Sequence, residues 1–302
     1  MERKKIALAT LAALAGNSIF GFSFMFSRIA LRAAEPFVML MYRFLLAFAA
    51  VQLIALYARR KNLGGWLRFA PDPKARGGLI ALGLVQPVLY FLFESYGVQL
   101  TNATVSGVII AMVPIVALAA GALFLGEKPG LGQIGFAALS IAGVVVMTLQ
   151  QSASGTVAPL GIVLLFGAVL SGVGYNVLSR RLSRSCSALE CTYMMMLVAA
   201  VTFTALALIQ CRGDWARLTS PLGQPSFLAS MGYLGLFSSV GAFLLLNFAN
   251  SVLPVARTSS FCNLTTVLSV FAGVVFLGEP FSWLSLAAAA VIIAGVWGVQ
   301  RK

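Results

Sequence analysis

The sequence contains no histidine, and only eight acidic residues against 21 lysines and arginines. The side chain that most often serves as general base or metal ligand near neutral pH is therefore missing. Cysteine is scarce as well. Cys186, Cys191, Cys211 and Cys262 show no CxxC or other metal-ligand spacing, whereas zinc sites draw on clustered cysteine or histidine, so these thiols read as packed or idle. The phosphate-binding pattern G-x-x-x-x-G-K-[ST] is absent too, which argues against ATP hydrolysis. A membrane enzyme would want histidines, paired carboxylates or a metal cluster within its spans, and none is visible. No cofactor and no metal is expected.

Charge is the next shortage. Ten per cent of the residues are charged and 60% are hydrophobic, with a mean hydropathy of +0.96. A soluble domain of this size needs a far more polar surface; a chain immersed in lipid does not. The net charge of +13 and the pI near 10.2 could suggest nucleic acid. The basic residues sit instead in short loops between apolar runs and form no basic face, so no nucleic-acid partner is expected.

What is present is a succession of ten apolar segments, each about 20 residues, the length that crosses roughly 30 Å of hydrocarbon at about 1.5 Å per residue. They run Ile6–Ala30, Pro36–Tyr57, Gly77–Leu100, Ala103–Leu125, Leu131–Gln150, Pro159–Leu178, Ala188–Gln210, Ser226–Asn250, Ala256–Leu277 and Ser282–Gln300. Only Thr101-Asn102 divides the third from the fourth. The amino terminus, MERKKIALATLAALAG, imitates a signal peptide. Its apolar run continues to Ala30, however, and it reads as the first helix.

The chain is also duplicated. Adding 152 to Phe124-Leu125-Gly126-Glu127 gives Phe276-Leu277-Gly278-Glu279, and the same shift takes Ile141-Ala142-Gly143-Val144 onto Ile293-Ala294-Gly295-Val296. Ser27-Arg28 falls on Ser179-Arg180, and Leu82-Gly83-Leu84 on Leu234-Gly235-Leu236. One ungapped register marks two repeats, residues 1–150 and 153–302. The expected fold is an all-α membrane protein with ten transmembrane helices as two inverted five-helix repeats around a central cavity. Five is odd, so the second copy enters the membrane from the opposite side. Two near-equal packings of such halves give inward-open and outward-open states.

Lysine and arginine set the orientation. With the amino terminus in the cytoplasm, the inner loops hold Arg3, Lys4, Lys5, Arg59, Arg60, Lys61, Arg68, Lys74, Arg76, Lys128, Arg180, Arg181, Arg184, Arg257, Arg301 and Lys302. Outside fall only Arg28, Arg32, Arg212 and Arg217. Both termini are therefore expected in the cytoplasm. Trp283 and Trp297 read as interfacial anchors.

The paired LGE turns, each followed by a helix containing IAGV, together with Tyr42-Arg43-Phe44, Ser27-Arg28 and Pro114, resemble the drug/metabolite transporter superfamily, specifically its EamA-type ten-helix members. The resemblance covers essentially the whole chain. It implies a basket of helices around a cavity, with helices 5 and 10 packed away from the pathway, and export of amino acids or other small metabolites across the inner (plasma) membrane of a prokaryote. The family often repeats the helix 4 proline in helix 9; here Thr266 takes that position.

Helix 3 carries a stripe of Gly83, Gln86, Tyr90, Glu94 and Gly97, spaced three or four apart, which must face protein or water rather than lipid tails. Helix packing and lining a cavity both satisfy it. Glu94 is the acidic residue inside a span and Arg43 the deep basic one, and each costs at least about 2.5–3.5 kcal/mol without a partner or water. Both lie roughly 10 Å below the outer surface, which brings an Arg43–Glu94 pair within reach, either as a structural ion pair or as a working unit that also meets substrate. Thinner polar stripes follow: Asn17, Gly21, Phe24 and Arg28 on helix 1; Gly172, Tyr175 and Asn176 on helix 6; Ser239, Phe243 and Asn247 on helix 8; Asn263 and Thr265 on helix 9. Phe20, Phe22, Phe24 and Phe26 crowd helix 1, either lining an apolar pocket or, the preferred reading, facing lipid. The LGE glutamates read as turn-fixing groups that accept backbone hydrogens. The candidate substrate-binding residues are Asn17, Arg43, Gln86, Tyr90, Glu94, Tyr175, Asn176 and Asn247.

These readings lead to a secondary exporter working by alternating access on a small-molecule substrate within membrane lipids, with Glu94 as the carrier if protons are coupled. The oligomeric state stays open. Multidrug efflux of amphipathic cations is the alternative; the small four-helix members of the superfamily carry a carboxylate in helix 1, and this helix 1 has none. A channel would want rings of like residues along one pore, and the polar groups here are few and unevenly shared. The orientation is directly testable. Single cysteines placed in a cysteine-free variant should react with an impermeant thiol reagent in intact cells at Gln151–Ala158 but not within Arg59–Arg76; labelling of the latter loop would overturn the orientation.

Overall fold

The computed structural model describes residues 2–70, 73–116, 119, 130–153, 157–253, 258, 261–279 and 282–300, with side chains omitted at 2, 144, 147–153, 262–263, 285, 296 and 299–300. Among the described residues the regular structure is entirely helical. Six helices are long and apolar enough to cross a membrane: α1 (Glu2–Ala30), α2 (Pro36–Arg60), α3 (Pro73–Leu100), α6 (Pro159–Leu182), α7 (Ala188–Cys211) and α8 (Pro225–Val252). Between and after them lie α4 (Ala103–Val116), α5 (Leu131–Ala153), α9 (Cys262–Leu277) and α10 (Trp283–Gln300), whose described apolar stretches are shorter. The first FLGE copy, Lys128 and Arg257 fall outside the described residues.

Local chemistry explains the boundaries. Prolines occupy the first turns of α2, α6 and α8, where a missing N–H costs nothing. A capping box starts α7: Glu190 N–H donates to Ser187 Oγ (3.1 Å) and Ser187 N–H to Glu190 Oε2 (2.7 Å). The Thr101-Asn102 break is real, because Asn102 Oδ1 accepts from the Val105 amide (2.8 Å) and caps α4. At the second LGE, Gly278 ends α9 in the left-handed region (φ 61°). The Glu279 carboxylate then crosses to α4, accepting from the amides of Ala103 (2.7 Å) and Thr104 (2.9 Å) and from the Thr104 hydroxyl (2.7 Å). A carboxylate at a helix N-terminus satisfies orphan donors and complements the dipole. For Glu279 the turn-fixing role is thus met, with its target on a neighbouring helix.

The duplication is legible in the packing. Helix α1 lies along α8 and α9, and its counterpart α6 lies along α3 and α4, while α2 pairs with α7, α4 with α9 and α5 with α10. Individual contacts repeat under the same shift. Arg28 Nη1 donates to the carbonyls of Val98 and Gln99 (both 2.9 Å) at the end of α3, and Arg180 Nη1 donates to Asn250 O (2.7 Å) near the end of α8. A Cβ on Gly83 would stand 2.8 Å from Val198, and one on Gly235 would stand 2.9 Å from Leu46; Leu46 and Val198 are themselves 152 apart. Both α3 and α8 also widen into π-type turns at equivalent places, Leu84–Leu89 and Tyr233–Ala242. In α3 the widening contains Pro87 and an extended Gln86 (φ −147°, ψ 120°), where proline removes a helical donor.

The outer faces are apolar, with Leu53, Ile209, Val201 and Phe276 exposed, as a surface facing hydrocarbon requires. Helices α5 and α10 pack on each other through small residues. A Cβ added to Gly143 would lie 2.7 Å from Ile292, one added to Gly295 would lie 2.7 Å from Phe136 O, and Ser140 Oγ donates to Ile292 O (3.2 Å). Close backbone approach of this kind is how helices associate where lipid supplies no hydrophobic drive. Gly143→Leu and Gly295→Leu should each cut the yield of folded protein several-fold and leave substrate affinity of the folded fraction unchanged. Size-exclusion recovery and binding on the monodisperse peak check both halves, and a shifted affinity at normal yield would contradict the scaffold role.

Candidate functional site

Among the described residues, a cavity between the helices gathers several of the polar residues of the spans. It is lined from α1 by Asn17, Phe20, Ser23 and Phe24, from α2 by Arg43, and from α3 by Gln86, Tyr90, Phe91 and Glu94. Ile110 and Val113 of α4 close one wall, and the second repeat adds Gly172, Tyr175 and Asn176 of α6, Leu246 and Asn250 of α8, Thr265 of α9 and Thr258. No described residue of α5, α7 or α10 takes part. The space open to the centre of a water molecule is about 80 Å³, room for about five to eight waters or a small solute.

Of the residues picked from the sequence, Asn17, Arg43, Gln86, Tyr90, Glu94, Tyr175 and Asn176 line this cavity. Asn247 does not. Its Oδ1 accepts from Tyr175 OH (3.0 Å) and Ser179 Oγ (2.8 Å), and its Nδ2 donates to Thr192 Oγ1 (2.9 Å). It stands behind the wall and holds Tyr175 in place. Asn263 has its side chain outside the described residues. The helix 3 stripe divides: Gly83 and Gly97 pack against Val198 and Leu165, while Gln86, Tyr90 and Glu94 face the cavity.

Arg43 is completely buried and is held across the repeat boundary. Its Nε donates to Ser239 Oγ (2.9 Å) and its Nη2 to Ser238 Oγ (3.0 Å), both on the widened turn of α8. Ser238 Oγ lies 2.8 Å from Ser23 Oγ of α1. The guanidinium carbon sits 4.0 Å from the centroid of the Phe91 ring, a contact worth about 2 kcal/mol when desolvated. Nη1 has no hydrogen-bond partner among the described residues. Glu94, also buried, receives one long hydrogen bond, from Ser95 Oγ at 3.4 Å. The expected Arg43–Glu94 ion pair does not form: among the described residues the ion pairs within 4.0 Å are Arg68–Glu190, Arg217–Glu35 and Arg217–Asp214. Equal depth on neighbouring helices fixes one coordinate only, and the serines and the Phe91 ring draw the guanidinium elsewhere.

The lipid-facing reading of the helix 1 phenylalanines is corrected in part. Phe20 and Phe24 line the cavity, and Phe26 stacks on Tyr233 with centroids 4.2 Å apart. Sequence reading also passed over Ser23, Phe91, Asn250 and Thr258. Each belongs to a near-continuous apolar or small-residue run, and which side of such a helix faces inward depends on its neighbours.

The comparisons with known proteins show the same duplication. The EamA-like transporter family matches twice, over residues 7–149 and 159–301, stretches that start and end 152 residues apart. The chain belongs to the EamA-like transporter family. A Bacillus subtilis protein named uncharacterized transporter YcxC is 33% identical over 293 residues, covering 96% of this chain and 92% of that protein. A Streptantibioticus cattleyicolor protein named probable terminal-alkyne amino-acid exporter is 28% identical over 232 residues, covering 76% of this chain and 75% of that one. A crystal structure that is 20% identical aligns over 96% of this chain and 95% of its own with a TM-score of 0.65, a likeness of fold. Within this EamA-like transporter, Asn247 offers a test of the wall behind the cavity. Asn247→Ala removes the acceptor of the Tyr175 hydroxyl and one bond each from Ser179 and Thr192, so unfolding in mixed micelles should register a loss of about 1–2 kcal/mol, with a higher KM for transport as Tyr175 loosens. Unchanged stability and KM would remove the asparagine from any positioning role.

Proposed function

We propose that the protein is a secondary transporter that exports small metabolites, amino acids first, by alternating access through the cavity between its repeats. On this reading the two repeats contribute ten spans in inverted topology across a prokaryotic inner membrane, with cytoplasmic termini. The observation that carries the proposal is a cavity shared by both repeats that holds a buried cation and a buried carboxylate, unpaired with each other, among apolar walls. Two charges kept apart in a membrane interior are costly. A passing solute that engages both would recover part of that cost. The cavity size favours a small metabolite over a bulky amphipathic drug, and an unpaired arginine disfavours cations. The printed name of the Streptantibioticus relative points in the same direction.

Glu94 is the carboxylate in position to couple export to protons. Medium from cells overexpressing the protein should accumulate a small set of amino acids or related metabolites relative to vector control. In proteoliposomes, Glu94→Gln should lower accumulation driven by a pH gradient at least tenfold, while exchange across equal pH continues at solute concentrations high enough to offset weaker binding. A medium profile identical to control for all small metabolites would reject the transport reading; gradient-driven transport that survives in Glu94→Gln would reject the proton role alone.

A further inference from the structure

Buried polar atoms are almost always paired, because an unpaired one forfeits its hydration without replacement, and a charged one loses more. The cavity breaks this rule three times within one wall system. Among the described residues Arg43 Nη1 is a donor without a hydrogen-bond partner, and Gln86 Oε1 and Asn250 Oδ1 are acceptors without one. Glu94 adds a carboxylate whose only described bond is the 3.4 Å one from Ser95. The unpaired set therefore consists of one cationic donor and a surplus of acceptors, one of them anionic.

The duplication sharpens the point. The 152-residue shift carries Gln86 and Pro87 onto Ser238 and Ser239, but it carries Arg43 onto Met195, Tyr90 onto Ala242 and Glu94 onto Leu246. The scaffold is doubled and the charged pole is single. The apolar part of the lining is Phe20, Phe24, Ile110, Val113 and Leu246. A symmetric solute has no reason to meet so one-sided a cavity.

We propose, resting on the transport reading above, that Arg43 forms a carboxylate subsite at the seam between α2 and α8, with its free Nη1 edge taking the carboxylate and Glu94 with Gln86 taking the ammonium of a zwitterion whose side chain is small and apolar. Ser238 and Ser239 fix the guanidinium so that Nη1 remains the available edge, and the Phe91 ring shields its face. A charge-assisted bond to such a fixed edge is among the stronger polar contacts. Arg43 joins a first-repeat helix to a second-repeat turn, so occupancy of Nη1 bears directly on the contact between the halves.

Three probes that share one branched apolar side chain test this on purified full-length protein: L-valine, isobutylamine, which lacks the carboxylate, and isovalerate, which lacks the ammonium. Valine should bind at least ~10-fold more tightly than either analogue. In Glu94→Gln the preference for valine over isovalerate should vanish while that over isobutylamine persists, and Arg43→Lys should weaken valine and isovalerate by ~10-fold with isobutylamine unchanged. Should Arg43→Lys fail to fold, Ser239→Ala keeps the charge and removes only the Nε brace, and it should weaken valine and isovalerate equally. Isobutylamine binding as tightly as valine, or no measurable binding of valine, overturns the subsite. Continued export of other small metabolites in that case leaves the transport reading intact, whereas loss of all export removes both.

Discussion

A guanidinium placed among apolar helices is the constraint on which this structure turns. Hydration of Arg43 would have to be replaced group by group, and the protein does so unevenly. Two serines take Nε and Nη2, an aromatic face takes the flat of the ion, and Nη1 is left over. To deliver those serines, α8 widens into a π-type turn and comes close to α2, which Gly235 permits by lying where a Cβ would be 3.2 Å from Arg43 O. Widened turns at functional places in helices are familiar, and in transporters interrupted helices commonly frame the binding site. Here the interruption serves to hold a charge belonging to the other repeat.

Duplication supplied the frame and then drifted apart at the centre. Contacts that set helix ends and helix spacing survive in both copies: Arg28 with Arg180, Gly83 with Gly235, Gly143 with Gly295. Residues that give the cavity its character do not. Retaining paired scaffolding while losing paired chemistry is consistent with halves that must rock against each other around a site that need not be symmetric. The Glu279 bridge to α4 fits the same division, since it fixes a helix start from a loop well away from the cavity lining.

How much of this could be read from residues alone follows the physics of each feature. The repeat, the helix ends and the scaffold glycines are written in short blocks with local consequences: a left-handed turn at Gly278, a cap at Asn102, a carboxylate at Glu279. Charged residues in spans announce themselves by cost, so Arg43 and Glu94 were visible, and so was the stripe through Gln86 and Tyr90. Pairing was not, because depth along two helices says nothing of their rotation. Phe20 and Phe24 carry the same ambiguity: the stripe through Asn17 and Phe24 marks one face of helix 1, but an aromatic ring does not show whether it meets lipid or a cavity. Asn247 was selected on a spacing of four from Ser239 and Phe243, yet that spacing runs through the widened turn ending at Ala242, where ordinary helical phase no longer holds. It emerged behind Tyr175 instead of beside it.

Alternating access, as proposed, requires that the cavity between the repeats be reached in turn from the two sides of the membrane. Cysteine at Thr265, a small buried position on the cavity wall, in an otherwise cysteine-free protein, can be probed with an impermeant thiol reagent in right-side-out and inside-out vesicles. The account predicts labelling from both faces, slowed from both by the same exported solute. Labelling confined to one face under every gradient, or labelling indifferent to any solute, would contradict it.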